Sequence, residues 1–434
     1  MIDLPDLSKI NEKYRMFSEI ASEISTDAEF AFSAKDNLTA VGFQARAGSA
    51  ILEGYRPLFD AACIEKMRSA GGFLIGKTNM DEFGFGSFSM NSAYGIPRNP
   101  YDTERSCGGS SGGAACAAAV IDGHVALGVS TGGSIACPAS FCGVYGMAPT
   151  YGRVSRHGLI DYGNSMDKVG ILSQDAKDLG KYLPVISGDD RRDPASCNHP
   201  PLQKRFRKLR SVALVKGEAS AGVDAAIRSA EEELRSMSVD VETVSMDSLR
   251  YALPAYYVLA SAEGSTNIAR YCGLRYGRQD GDLSLKFDDY FTKMRSEYLG
   301  EETKRRVILG TFTRMMGFRD KYYAKALGVR NAIISEYKSI FERFDAVLTP
   351  TMPFISPRFD EISGMSALET YRADVLSVPP NLSGLPHISM PCGYSEGMPV
   401  GMMLVTDHWN DDILLSAAEE WQNRFDARRP EVAI

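Results

Sequence analysis

Between residues 31 and 150 short apolar runs alternate with glycine turns, and this pattern does most to limit the folds open to the chain. Phe73-Leu74-Ile75 and Val125-Ala126-Leu127-Gly128-Val129 have the length and apolar continuity of strands buried on both faces. Ala114 to Val120 predicts a helix of small residues that can approach such strands closely. Further along, Val212 to Val215, Asp224 to Ser236 and Val239 to Val244 repeat a strand, amphipathic helix, strand order. Ala346 to Pro350 and Val400 to Val405 add strands. Residues 255–270, 301–343 and Ile413 to Phe425 add helices. At the start, Leu7, Ile10, Tyr14, Phe17 and Ile20 have the spacing of one helix over 6–24, and Gly188 to Arg210 reads as a loop. The expectation is an α/β fold.

The chain has 434 residues, 44% hydrophobic and 24% charged, enough for a large core without disulfide or metal staples. Its net charge of -7 argues against a broad nucleic-acid-binding face, though not against a nucleic-acid substrate handled by a partner. The eight cysteines are scattered singly, which points to reduced thiols, a cytoplasmic setting and no metal site. The charged N-terminus does not read as a signal peptide, and no apolar run of about 18 residues predicts a membrane span.

Two motif matches fail on context. Gly71 to Thr78 spells the phosphate-loop pattern, but its interior is Phe73-Leu74-Ile75, and a buried strand cannot wrap a phosphate. Gly108-Gly-Ser110-Ser-Gly112 spells a nucleophile elbow, but the preceding segment is polar, and His387 is the one histidine placed to serve such a triad.

Serine chemistry without a clear histidine needs another base, and a buried lysine can supply one because desolvation disfavours its ammonium form. Lys35 follows an apolar entry, Cys107 to Gly113 carries Ser110, and Ser130-Thr-Gly-Gly-Ser134 forms a second serine loop. The flanking glycines allow close approach of backbone N–H groups to an oxyanion.

Lys35-Asp-Asn37, the Gly108 to Gly113 loop, Thr131 to Ser134, Pro138-Ala139 and Gly146 to Thr150 resemble the amidase signature family. The separations, 75 positions from Lys35 to Ser110 and 24 from Ser110 to Ser134, fit as well. The resemblance implies a large single-domain α/β/α sandwich with a mixed central sheet, spanning 1–434, whose residues 35–160 form the signature core. It implies Lys35 as base, Ser110 as bridging serine on a cis peptide, Ser134 as nucleophile, and Thr131, Gly132 and Gly133 with Ser134 as oxyanion hole.

Gly76 to Phe83, Asn91 to Gly95, Arg98 to Pro100, Pro149 to Arg156, Ala255 to Val258, Arg270 to Gly277, Lys304 to Arg306 and Asn381 to Pro386 are similar to one branch of that family. Its members are the glutaminase subunits of tRNA-dependent amidotransferases. That likeness implies glutamine as substrate, with B and C subunits completing a heterotrimer. The B subunit would use ATP and Mg²⁺ and bind most of the aminoacyl-tRNA, Glu-tRNA(Gln), Asp-tRNA(Asn) or both, so no cofactor is expected on this chain. It also implies glutamine contacts at Arg306 or Arg305, Asp374, and Tyr257 or Tyr256. A stand-alone serine amidase acting on a small amide is the alternative, and a P-loop nucleotide-binding protein a third reading.

The chain departs from the family pattern at Ser130 and Ala136, where Asp and Arg are usual, and in a shorter segment before Lys35. Losing both members of an ion pair can be near neutral where losing one is costly, so the nucleophile loop is expected to be held by packing.

Overall fold

The computed structural model describes residues 4–23, 28–196, 199–202 and 206–432. Eleven strands form one mixed sheet: β1 (Phe17–Ile20), β2 (Phe30–Lys35), β3 (Gly72–Thr78), β4 (Val125–Ser130), β5 (Tyr145–Ala148), β6 (Lys168–Ser173), β7 (Ser211–Val215), β8 (Asp240–Val244), β9 (Ala346–Pro350), β10 (His387–Ser395) and β11 (Met398–Thr406). Their spatial order is β1-β3-β2-β4-β6-β5-β10-β11-β9-β7-β8. β3, β2 and β4 run parallel, as do β9, β7 and β8. The neighbours between these two groups are antiparallel.

The strands alternate side chains between two cores, which makes the molecule three-layered. Phe32, Leu127, Leu214, Leu348 and Leu404 point to one core, shared with the helices Ala62–Ser69, Ala176–Ile186, Ala221–Ser236 and Asp411–Gln422. Ala213, Val347, Met403 and Val405 face the other side, against the helix Ala252–Asn267. Ala31, Ala126 and Leu172 face that same side, where the wholly buried helix Gly112–Val120 lies. Lys35 falls on this second face, two residues from Ser33 and four from Ala31. Fold class and mixed sheet agree with expectation.

Two predicted helices are divided. The first ends at Tyr14, capped at its start by the Asp6 carboxylate and at its end by Arg15 in a left-handed conformation. Phe17 to Ile20 then pairs antiparallel with β3, because an edge strand buries the same two apolar residues that helical spacing suggested. The end of the predicted span, at Ile24, lies outside the described residues. Residues 301–343 form two helices, Glu301–Arg314 and Tyr323–Phe341, separated by a turn at Gly317 with positive φ.

The sheet also disposes of the phosphate-loop pattern. Gly72 to Thr78 is strand throughout and is paired on both sides. Lys77 is fully buried and donates to the carbonyls of Leu38 and Asp36. No helix among the described residues is long and apolar enough to cross a membrane.

Candidate active site

The carboxyl ends of the parallel strands β2, β3 and β4 lie side by side, the usual position for a site in an α/β sheet. β2 ends on Lys35, β3 runs on to Asp81, and β4 ends on Ser130, opening the nucleophile loop. The helix Gly112–Val120 starts beneath them, its small residues letting the Ser110-Ser111 segment reach the end of β4.

Lys35 Nζ donates to Ser110 Oγ at 2.7 Å and to the Val129 carbonyl at 3.1 Å. Ser111 Oγ donates to the same Val129 carbonyl, and Ser111 N donates to the Ser134 carbonyl. These bonds lock the two serine loops together, and the Gly109–Ser110 peptide is cis. Among the described residues, Ser134 Oγ has no hydrogen-bond partner, nor do the backbone N–H groups of Thr131, Gly132, Gly133 and Ser134. A small anion or a developing oxyanion is what such a set of donors can accept.

Burial drives Lys35 from 10.5 down to about 7, against the opposing charges of Asp81 and Asp167. Burial also raises those carboxyls, Asp81 to about 6 and Asp167 to about 7. Asp81 accepts from the N–H groups of Ser89 and Asn91, and Asp167 accepts from Thr131 Oγ1 at 2.6 Å and from Tyr162 N and Gly163 N. Sequence reasoning named neither as a site residue. They approach Lys35 only through strand ends 46 and 132 positions away, although Asp81 lies in one of the stretches that carried the resemblance.

The three positions expected to contact substrate also converge. Tyr257 Oη and Ser87 Oγ both donate to Asp374 Oδ2, at 3.2 and 2.6 Å. Asp374 Oδ1 is buried without a partner. A Cβ at Gly133 would stand 3.0 Å from that oxygen and still closer to Ser377 Oγ, and one at Gly132 would stand 2.7 Å from Tyr256 Oη. A side chain at either position would have to displace these groups, so the loop packs closely against them.

Arg306 lies in the site and Arg305 at its rim. Arg306 is buried, donates to Glu302 Oε1 and Tyr162 Oη, and its guanidinium lies 4.5 and 4.7 Å from the rings of Tyr257 and Tyr371, which stack on each other. The Arg305 side chain is half exposed and pairs with Glu302. Burial raises Asp374 to about 6, with Ser87, Tyr257 and Arg306 pulling the other way. A cleft of about 240 Å³ opens here, lined in part by Ser87, Glu302, Arg305, Arg306 and Tyr371. A bound ammonium suits Asp374, and a carboxylate suits Arg306.

One expectation changes in detail. The nucleophile loop is held by hydrogen bonds as well as packing: Ser130 Oγ and Asn381 Nδ2 both donate to the Gly132 carbonyl, and Thr131 donates to Asp167. Ala136 is buried and packs in an apolar cluster with Val347 and Met403. His387 is buried against Lys168, Leu385 and Asn381, with no bond to Ser110, so the elbow pattern has no histidine.

The amidase family model matches residues 30–415. The chain is 43% identical over 397 residues to the A subunit of glutamyl-tRNA(Gln) amidotransferase from Clostridium botulinum, covering 89% of this chain and 81% of that protein. It is 41% identical over 392 residues to the protein of the same name from Archaeoglobus fulgidus, covering 90% and 85%. The crystal structure of the corresponding glutamyl-tRNA(Gln) amidotransferase protein from Thermotoga maritima superposes with a TM-score of 0.82 at 31% identity, covering 98% of this chain and 92% of that one. The structure of 6-aminohexanoate cyclic dimer hydrolase superposes with a TM-score of 0.80 at 25% identity, covering 98% and 93%.

Proposed function

We propose, since this chain belongs to the amidase family, that it hydrolyses the side-chain amide of glutamine as the ammonia-producing component of a tRNA-dependent amidotransferase. The observation that carries the chemistry is a lysine, buried and lowered to about 7, bonded to Ser110 beside the unpaired Ser134. Glutamine would enter the cleft with its α-ammonium at Asp374 and its α-carboxylate at Arg306. Neutral Lys35 takes the proton of Ser110 as Ser110 takes that of Ser134, and Ser134 Oγ attacks the amide carbon. The oxygen, now negative, is held by the N–H groups of residues 131–134. Lys35 returns the proton through Ser110 to the amide nitrogen as the C–N bond breaks, releasing ammonia and leaving a γ-glutamyl ester on Ser134. Water, activated through the same relay, cleaves the ester and regenerates the serine.

The amidotransferase relatives supply the argument for the setting. In that setting the chain works in the cytoplasm in a heterotrimer with B and C subunits. The B subunit uses ATP and Mg²⁺ to activate the carboxyl of Glu-tRNA(Gln) or Asp-tRNA(Asn), which ammonia then amidates. The test is glutaminase activity of the chain with and without B and C subunits and charged tRNA. Ammonia release from glutamine, coupled to tRNA amidation in the assembly, is the expected result. Hydrolysis of other small amides by the chain alone, with none of glutamine, would instead make it a stand-alone amidase.

A further inference from the structure

A third buried lysine, after Lys35 and Lys77, lies behind the nucleophile loop. In the antiparallel pairing of β4 with β6, Lys168 stands opposite Ser130. Its Nζ donates to the Leu385 carbonyl at 2.8 Å and lies 3.4 Å from His387 Nδ1. His387 Nδ1 reaches the same Leu385 carbonyl at 3.3 Å, and its Nε2 lies 3.4 Å from Asn381 Nδ2. Burial, aided by the neighbouring Lys168 charge, keeps His387 neutral. One tautomer suits the carbonyl and the amide: Nδ1–H donates to Leu385 and Nε2 accepts from Asn381, while Lys168 Nζ donates to the same Leu385 carbonyl and not to the ring. The two N–H groups of Asn381 point to the carbonyls of Gly132 and Ser377, and the longer contact to His387 Nε2 shares one of them. All three side chains are buried, and Asn381 Oδ1 has no hydrogen-bond partner, so the donor end of the amide is the end in use.

The target of this arm is informative. The carbonyl of Gly132 and the N–H of Gly133 belong to one planar peptide unit and, in the trans form, point in opposite directions. Holding the Gly132 oxygen backward therefore aims the Gly133 N–H forward, to the side where an oxyanion forms. Two donors hold that oxygen, Asn381 and Ser130. The loop opens on Ser130, and Lys168 stands opposite it on the neighbouring strand.

We infer that Asn381, supported by His387 and Lys168, is a positioning residue that orients the Gly132–Gly133 peptide and so aims an oxyanion donor. The inference rests on the proposed role of residues 131–134 in amide hydrolysis. None of the three side chains touches the reacting atoms, so each acts through the peptide.

The test combines kinetics with a structure. In Asn381→Ala, kcat for amide hydrolysis falls by about 100-fold, the scale of losing one oxyanion donor, while KM is unchanged. His387→Ala and Lys168→Met lose less in the same direction, and His387→Gln, whose amide can still meet Asn381, recovers most of the loss. Crystals of Asn381→Ala show the Gly132–Gly133 peptide rotated or in two orientations; His387→Ala serves this purpose if the first variant does not fold. A peptide that keeps its orientation overturns the inference, whatever the rate does. A wild-type chain that hydrolyses no amide overturns the proposed activity instead, and the peptide orientation still judges the arm.

Discussion

Replacing Asp81 by Asn is the perturbation whose outcome follows most directly from the geometry around Lys35. An ordinary lysine at 10.5 is neutral at pH 7 about once in 3,000 molecules, whereas Lys35 at about 7 is neutral about half the time. Burial thus raises the fraction able to accept a proton by a factor on the order of 10³, and holding the ammonium form costs about 5 kcal/mol. The logarithm of kcat/KM for the acylation step should rise with pH and level off near 7. Asp81 is the largest of the charges that favour the ammonium, ahead of Asp167. Asp81→Asn removes it, so the limb moves to lower pH while its slope stays the same. The assay is ammonia release from pH 5.5 to 9. Lys168, also lowered to about 7 by burial, is separated by Lys168→Met, which leaves the limb where it was. A profile flat from pH 6 to 8, or a limb that moves up in Asp81→Asn, would refute the argument. The stability linkage has its own sign. Because the folded value of Lys35 lies below the unfolded one, the unfolded chain holds more protons between about 7 and 10.5, and the contribution of this lysine to stability rises with pH across that window.

Other outcomes follow from single contacts. Arg306→Lys loses the planar fork packed beside the stacked Tyr257 and Tyr371 rings and should raise KM for glutamine at least tenfold, with a smaller change in kcat, measured by steady-state kinetics. Gly132→Ala places a methyl 2.7 Å from Tyr256 Oη and should abolish most activity, with partial recovery in the double variant with Tyr256→Phe. Ser130→Asp puts a carboxylate beside the Gly132 carbonyl with no arginine at 136, and should destabilise the fold by roughly 3–5 kcal/mol in denaturant titration. A gain in stability and activity there would contradict the account of how the loop is held.

The parts of this fold that could be read from the sequence are those in which the deciding partners are local. Val125 to Val129 reads as a strand because β4 is buried on both faces, and Asp224 to Ser236 reads as a helix because one face alone is apolar. β1 was hidden, since Phe17 and Ile20 satisfy helical spacing as well as an edge strand. β5 and β6 carry glycines at 146 and 170 that lower strand propensity, and only their neighbours in the sheet make them strands. The serine loops and Lys35 stand out because glycine clusters and a motif order leave a local trace. Asp167 leaves no such trace, and Asn381 opens one of the resembling stretches without showing what it touches: they meet the loop across 36 and 249 positions, through bonds visible only once the sheet is assembled. Arg305 and Arg306 both line the cleft, and helical phase sets them apart: Arg306 is buried beside Tyr257 and Tyr371, while Arg305 is half exposed.

The role of Ser134 is tested most directly by rapid acid quench of the wild-type chain with glutamine, followed by peptide mass mapping. The account predicts a γ-glutamyl ester on Ser134, absent in Ser134→Ala, which should release no ammonia, and not accumulating in Lys35→Ala. An ester mapped to Ser110, or full ammonia release by Ser134→Ala, would contradict it.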